Sequence, residues 1–281
     1  MATQTGVQDK YADLAGMRFH YREWGSAGAP PLLLLHGVTG HARQWDRFAG
    51  EMVDRFHILA LDQRGHGETE WGKSYTPTAF DEDIRTFVTA LGLAPVAIVG
   101  QSLGGRIGTA FAALHPELIA RLVIGDIGPD VVSAPGGART AAVIAAAQDA
   151  GFDDPEEPIA ASQKANPRVS PGEIRYSVLS NLVQRPDGRW GWRYDAAGLP
   201  SRFDELPSEE SQWQQLTKIE CPVLLVRGAE SDILSAATAS RMVEMMANCR
   251  LAVLPESGHG VPRDNPAAFL AAVRPFLLDE A

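Results

Sequence analysis

Pro95-Val96-Ala97-Ile98-Val99-Gly100-Gln101-Ser102-Leu103-Gly104 is the stretch on which the reading of this chain turns. A short apolar run suited to a buried strand leads straight into Gly-Gln-Ser-Leu-Gly. Behind it Ile107, Ala110, Phe111 and Leu114 recur at helical spacing until Pro116 ends the pattern. A turn tight enough to lift the Ser102 hydroxyl above the sheet forces strained backbone, and bulky side chains at Gly100 or Gly104 would collide. The helix that follows aims its first N–H groups at negative charge developing on a substrate. The G-x-S-x-G pattern thus has the strand-turn-helix context that an exposed nucleophilic serine requires.

Working outward, apolar runs at 31–35, 56–61, 95–99, 121–124, 222–226 and 250–254 alternate with helical patterns. Such a rhythm is that of buried parallel strands joined by crossover helices. One crossover helix carries Phe80, Ile84, Phe87, Val88 and Leu91 on one face, with Thr78 as its expected N-cap; Phe269, Val273 and Phe276 mark a final amphipathic helix. Residues 11–14 and 17–24 read as a hairpin turning at Ala15-Gly16. Between about Pro129 and Gln215 no buried-strand run occurs, and the stretch reads as a mostly helical insertion, with residues 140–147 as one of its helices.

A serine hydroxyl needs a base to take its proton, and the base needs an acid to orient it. His259 follows the last strand in Pro-Glu-Ser-Gly-His-Gly, and Asp232 follows the penultimate one in Arg-Gly-Ala-Glu-Ser-Asp. Loops beyond the carboxyl ends of such strands converge on one site. Asp126, in Gly-Asp-Ile-Gly-Pro, also follows a strand and is the alternative acid, with a turn cap as its bland reading; Asp232 is preferred.

These motifs resemble those of the α/β-hydrolase superfamily over nearly the whole chain, and the order Ser102, Asp232, His259 matches its triad. His36-Gly37 stands where the family places an oxyanion-hole loop, and Asp62-Gln63-Arg64-Gly65-His66-Gly67 is similar to its D-x-R-G-x-G turn; Thr69 departs from the small Ser usual there. The resemblance implies a mostly parallel sheet flanked by helices, with a core of 1–128 and 214–281 and a helical cap of 129–213. It implies an oxyanion hole from the backbone N–H groups of Val38 and Leu103. It further implies a serine hydrolase acting on a carboxylic ester, lactone or amide of a small molecule, with carbon–carbon-bond hydrolysis of a vinylogous diketone or a cofactor-free oxygenase as alternatives on the same fold.

Within 166–202, six Arg oppose three acidic residues, a net of +3 in a chain whose 25 Lys and Arg against 35 Asp and Glu give −10. That local excess suggests a carboxylate-bearing substrate held by Arg193 or Arg175. Trp192, His41 and Trp45 are further candidates to line the pocket, with core packing an equal reading for the two tryptophans and a surface role an equal reading for His41. The acidic balance argues against nucleic acid and anionic membranes. Two cysteines make a disulfide framework or a Cys-based zinc site improbable, no His pair has metal-ligand spacing, and no cofactor is expected. Residues 1–10 lack the apolar core of a signal peptide and no run spans a bilayer, so a cytoplasmic protein is expected; oligomeric state leaves no mark on the sequence. Gly67–Ser74 satisfies the letters of a phosphate-binding loop, but Glu68 and Glu70 would oppose phosphate and Pro77 opposes the immediate helix, so a surface loop is expected.

Overall fold

The apolar runs become neighbours in one sheet. The structure, a computed structural model, describes residues 6–148 and 151–280. Strands β1 (Gln8–Leu14), β2 (Met17–Trp24), β3 (Pro31–Leu35), β4 (His57–Leu61), β5 (Val96–Gln101), β6 (Ile119–Gly125), β9 (Val223–Gly228) and β10 (Cys249–Leu254) form an eight-stranded sheet ordered β1-β2-β4-β3-β5-β6-β9-β10. The six runs singled out in the sequence pair in parallel, and the β1–β2 hairpin pairs antiparallel, turning where Ala15 and Gly16 both have positive φ. This is the α/β-hydrolase fold that the resemblance implies. Its central strands are apolar on both faces because helices cover both. One side packs Phe87, Ile107 and Phe111; the other packs Trp45, Phe48 and Phe269.

Helices α1 (Asp46–Met52), α2 (Pro77–Ala90), α3 (Leu103–Leu114), α8 (Ala236–Met245), α9 (Val261–Asp264) and α10 (Pro266–Leu278) lie among the sheet strands in sequence. Thr76, not Thr78, caps α2, accepting from the Ala79 N–H, because Pro77 is readily taken at a first helical position. Among its described residues, the segment between β6 and β9 adds no strand to the main sheet. It holds α4 (Pro135–Ala147), α5 (Glu156–Ala165), α6 (Pro171–Ser180), a 3-10 turn at Leu199–Phe203 and α7 (Glu209–Leu216). It also contains a small hairpin that apolar periodicity misses, β7 (Leu182–Gln184) with β8 (Trp190–Trp192), whose three-residue strands are too short to show a pattern. Ile159, Val169, Ile174, Val178 and Leu182 give this segment a small apolar cluster of its own. Trp213 and Leu216 of α7, by contrast, join the main core.

The turn after β4 is fixed by a buried carboxylate. Asp62 accepts from His20 Nδ1 at 2.7 Å, the Ala42 N–H at 2.6 Å and the Glu68 N–H at 2.9 Å. Thr69, the departure from the family pattern, donates to the Asp62 carbonyl and accepts from the His20 N–H, so its hydroxyl is structural. Burial alone would raise the Asp62 pKa, but the hydrogen bond and charge of His20 outweigh it and hold it at about 2, below the ordinary 3.8. A carboxyl depressed in the folded state contributes stability above its unfolded pKa and loses it as pH falls through the folded one. Urea denaturation should therefore show wild-type stability falling between about pH 4 and pH 2. Asp62→Asn should flatten that acid limb and cost about 3 kcal/mol at neutral pH; identical acid limbs would refute the assignment.

Candidate active site

β5 lies between β3 and β6, so the loops at the ends of all three strands meet at Ser102. Ser102 occupies φ 52° and ψ −113°, a conformation L residues avoid, held by its own N–H donating to the Gly125 carbonyl at 2.8 Å. The flanking glycines make that turn possible. A Cβ on Gly100 would lie 2.3 Å from the Gly104 carbonyl oxygen, and one on Gly104 would lie 2.2 Å from the Leu35 carbonyl oxygen. Both obstacles are backbone and cannot swing aside. Gly104 N–H donates to the His36 carbonyl at 3.1 Å, fastening the start of α3 to the loop after β3.

His259 Nε2 is 2.9 Å from Ser102 Oγ, and His259 Nδ1 is 2.9 Å from Asp126 Oδ2. The acid that meets the histidine is thus Asp126, and the sequence preference for Asp232 is corrected. Asp126 is fully buried, and its positive φ turns the chain at the end of β6 toward His259. Its other donors are the Gly228 N–H at 2.9 Å and the Ser231 hydroxyl at 2.5 Å. The loop after β9 therefore presents Ser231 inward. Asp232, one residue on, does not hydrogen-bond His259 and pairs with Arg139 of α4, whose hydrogen bond holds its carboxyl below the ordinary range.

Sequence reasoning missed Gln101, which donates from Nε2 to the His259 carbonyl at 2.7 Å and steadies the histidine loop. His36 accepts the Gln63 N–H on Nε2, and its Nδ1 lies 2.8 Å from the Gly37 carbonyl. Burial drives its pKa down to about 3, so it is a neutral element of loop architecture.

A cavity of about 40 Å³ lies against Ser102, with Val38 and Leu103 in its wall. The five substrate-binding candidates lie elsewhere. Arg175 pairs with Glu156 at 2.7 Å on the exposed side of α6, and Arg193 donates to the Leu182 carbonyl at 3.1 Å. Trp192 stacks on Tyr194 with ring centroids 5.6 Å apart. Trp45 packs against Phe48 and Phe269 in the core. His41 is buried against Ser177 of α6, and that burial lowers its pKa to about 4. The arginines that do line the cavity are Arg106 and Arg202. A larger cavity of about 290 Å³ shares Arg106 and Ile127 with it and does not reach Ser102. The look-alike phosphate loop carries an exposed Trp71 whose Nε1 donates to the Arg193 carbonyl.

Residues 32–273 match the model of the alpha/beta hydrolase family. The chain belongs to that family. Among its relatives, a 3-hydroxybutyrate-oligomer hydrolase of Cupriavidus necator is 30% identical over 275 residues, covering 92% of each chain. An sn-1-specific diacylglycerol lipase of Mus musculus is 29% identical over 259 residues, 90% of this chain and 82% of the relative. In structure, an E-2-(acetamidomethylene)succinate hydrolase superposes with a TM-score of 0.86 at 24% identity, covering 97% of this chain and 99% of the other, a likeness of fold. Hydrolase activity in the general sense of the family is what these relatives support for this alpha/beta hydrolase.

The close approach at Gly104 gives a direct test of how the turn is held. Gly104→Ala should destabilise the protein by about 3 kcal/mol or prevent its folding, whereas Gly172→Ala, where an added Cβ meets nothing within 4 Å, should leave the unfolding midpoint nearly unchanged. Equal midpoints for the two variants would contradict the packing described.

Proposed function

We propose that this protein is a serine hydrolase that cleaves a carboxylic ester, lactone or amide of a small molecule through an acyl-enzyme, with Ser102, His259 and Asp126 as its triad. The observation that carries the reading is the chain of two 2.9 Å contacts, Ser102 Oγ to His259 Nε2 and His259 Nδ1 to Asp126 Oδ2, at the wall of a cavity. In this reading His259 takes the Ser102 proton as Oγ bonds to the substrate carbonyl carbon. The oxyanion that results accepts from the backbone N–H groups of Val38 and Leu103, fixed donors that need no reorganisation. As the tetrahedral species collapses, His259 returns the proton to the leaving oxygen or nitrogen. Water, giving a proton to the same imidazole, then displaces the acyl group from Ser102, and the imidazole passes that proton to Oγ to restore the hydroxyl. Asp126 holds the Nδ1–H and stabilises the imidazolium throughout. Residues 129–213 act as a cap over this site around a core of 1–128 and 214–281.

The direct contact between Ser102 and the base supports nucleophilic catalysis over a cofactor-free oxygenase, in which the serine matters less. The relatives named above include an ester-oligomer hydrolase and a lipase, which is consistent with acyl transfer to water.

A fluorophosphonate should label Ser102 stoichiometrically, and Ser102→Ala should abolish labelling. Asp126→Ala should lower kcat/KM for a reactive ester by about 10⁴, because the imidazole loses its orienting partner. Asp232→Ala, which removes an exposed ion pair, should stay within about tenfold of wild type. Near-normal turnover by Asp126→Ala, or collapse in Asp232→Ala alone, would return the acid's role to Asp232.

A further inference from the structure

The loop after β3 reverses within four residues. The Gly40 N–H donates to the Gly37 carbonyl at 2.9 Å, and of the two residues between them positive φ falls on Thr39, at 63°, and not on Val38. That hydrogen bond with that pattern of signs is a type II turn, whose third residue is normally Gly or Asn. A β-branched residue there carries about 1–3 kcal/mol of strain and stays only where its surroundings hold it. The turn also begins hard against the nucleophile, since a Cβ on Gly37 would lie 3.3 Å from the Ser102 Cβ.

Two side chains hold this turn from opposite ends. From the core, neutral His36 accepts the Gln63 N–H on Nε2, so its one ring hydrogen is on Nδ1, which donates to the Gly37 carbonyl at 2.8 Å. From the insertion, Asn181 Nδ2 donates to the carbonyl of Thr39 itself at 2.9 Å. Asn181 is only 6% exposed, and its own backbone is fixed on both sides. Its N–H donates to the Ser177 and Val178 carbonyls at the end of α6, and its carbonyl accepts from the Arg193 N–H at 2.9 Å. A donor anchored in this way restrains the strained residue instead of following it.

We infer that Asn181, a residue of the insertion, is a positioning residue for the reaction at Ser102: by holding Thr39 in its left-handed conformation it keeps the Val38 N–H in place to receive the oxyanion. The inference rests on the serine-hydrolase reading for the role of that N–H, whereas the hold of Asn181 on the turn is a separate structural claim. Acylation and deacylation both pass through an oxyanion, so a turn released from Asn181 slows both steps, and kcat falls while KM stays. Removing an oxyanion donor outright costs about 10²–10³ in kcat, and displacing one costs part of that. Glycine takes positive φ without strain, so a turn with Gly at position 39 keeps its shape without the tether.

The experiment measures p-nitrophenyl acetate hydrolysis and, by NMR, deuterium exchange of the Gly40 amide that closes the turn. Asn181→Ala should lower kcat by about tenfold or more with KM within about twofold, the signature of an interaction made in the transition state. Asn181→Leu, which keeps the bulk without the donor, should give the same split and serves where the alanine variant does not fold. Adding Thr39→Gly to either variant should bring kcat back to within about threefold of Thr39→Gly alone, a rescue that loss of general stability would not show. Tyr176→Phe removes a different hydrogen bond from α6 to the core, the one to Asp46, and should leave kcat within about twofold. Gly40 exchange should quicken by about tenfold or more in the Asn181 variants and not in Tyr176→Phe. An unchanged kcat, a raised KM in its place, or equal losses with Thr39 and with Gly at position 39 overturns the inference even when fluorophosphonate labels Ser102. Unchanged Gly40 exchange overturns it as well. Quickened exchange in a protein whose wild type neither hydrolyses the ester nor takes the label upholds the tether and overturns the serine-hydrolase reading instead.

Discussion

The start of α3 rests directly on the backbone of β3 and β5, with no side chain between them, and the site is arranged around that contact. It leaves the hydroxyl of Ser102 standing at the end of the central strand in a conformation that isolated residues avoid. Such strain persists only where surrounding structure over-determines it. Here the restraints are backbone hydrogen bonds: Ser102 to Gly125 on one side, Gly104 to His36 on the other. The strand order makes those two partners functional neighbours as well. Gly125 immediately precedes Asp126, and His36 immediately precedes the loop bearing Val38. The interactions that hold the strained serine therefore also set its distance from Asp126 and from the loop bearing Val38.

The insertion is bound to the same loop. Asn181, at the end of α6, donates to the Thr39 carbonyl at 2.9 Å, His41 Nε2 lies 3.0 Å from the Ser177 carbonyl, and Tyr176 donates to Asp46 at 2.6 Å. These contacts run from one helix of the insertion to residues 39–46, which begin one position after Val38. A displacement of α6 consequently acts first on the loop that follows Val38. The buried histidine fits that role: its low pKa keeps it neutral, so the contact is a hydrogen bond insensitive to ordinary pH.

Much of this was legible in the sequence because it is written in local pattern. Buried parallel strands read as apolar runs, the Ala15-Gly16 turn as a change of direction, and the nucleophile as a serine between glycines. The acid was not legible for a physical reason. Asp126 and Asp232 both follow strands that end at the site, and the choice between them depends on how each loop turns in space. Asp126 lies at positive φ, and Ser231, not its neighbour, points inward to meet it. The same limit applies to the arginines. Charge counting found an excess in 166–202 that includes Arg202, but burial, not charge, separates Arg202 from exposed Arg175, and Arg106 lies outside that window altogether.

Charge in this molecule acts at two ranges. The overall −10 is felt at the surface and is screened within about 8 Å at physiological salt; it opposes the approach of extended polyanions, which present many charges to the surface at once. Buried pairs are screened far less, so at short range individual partners decide: His20 holds the Asp62 carboxyl low, and Asp126 meets His259 Nδ1 at 2.9 Å, both beyond the reach of bulk electrolyte.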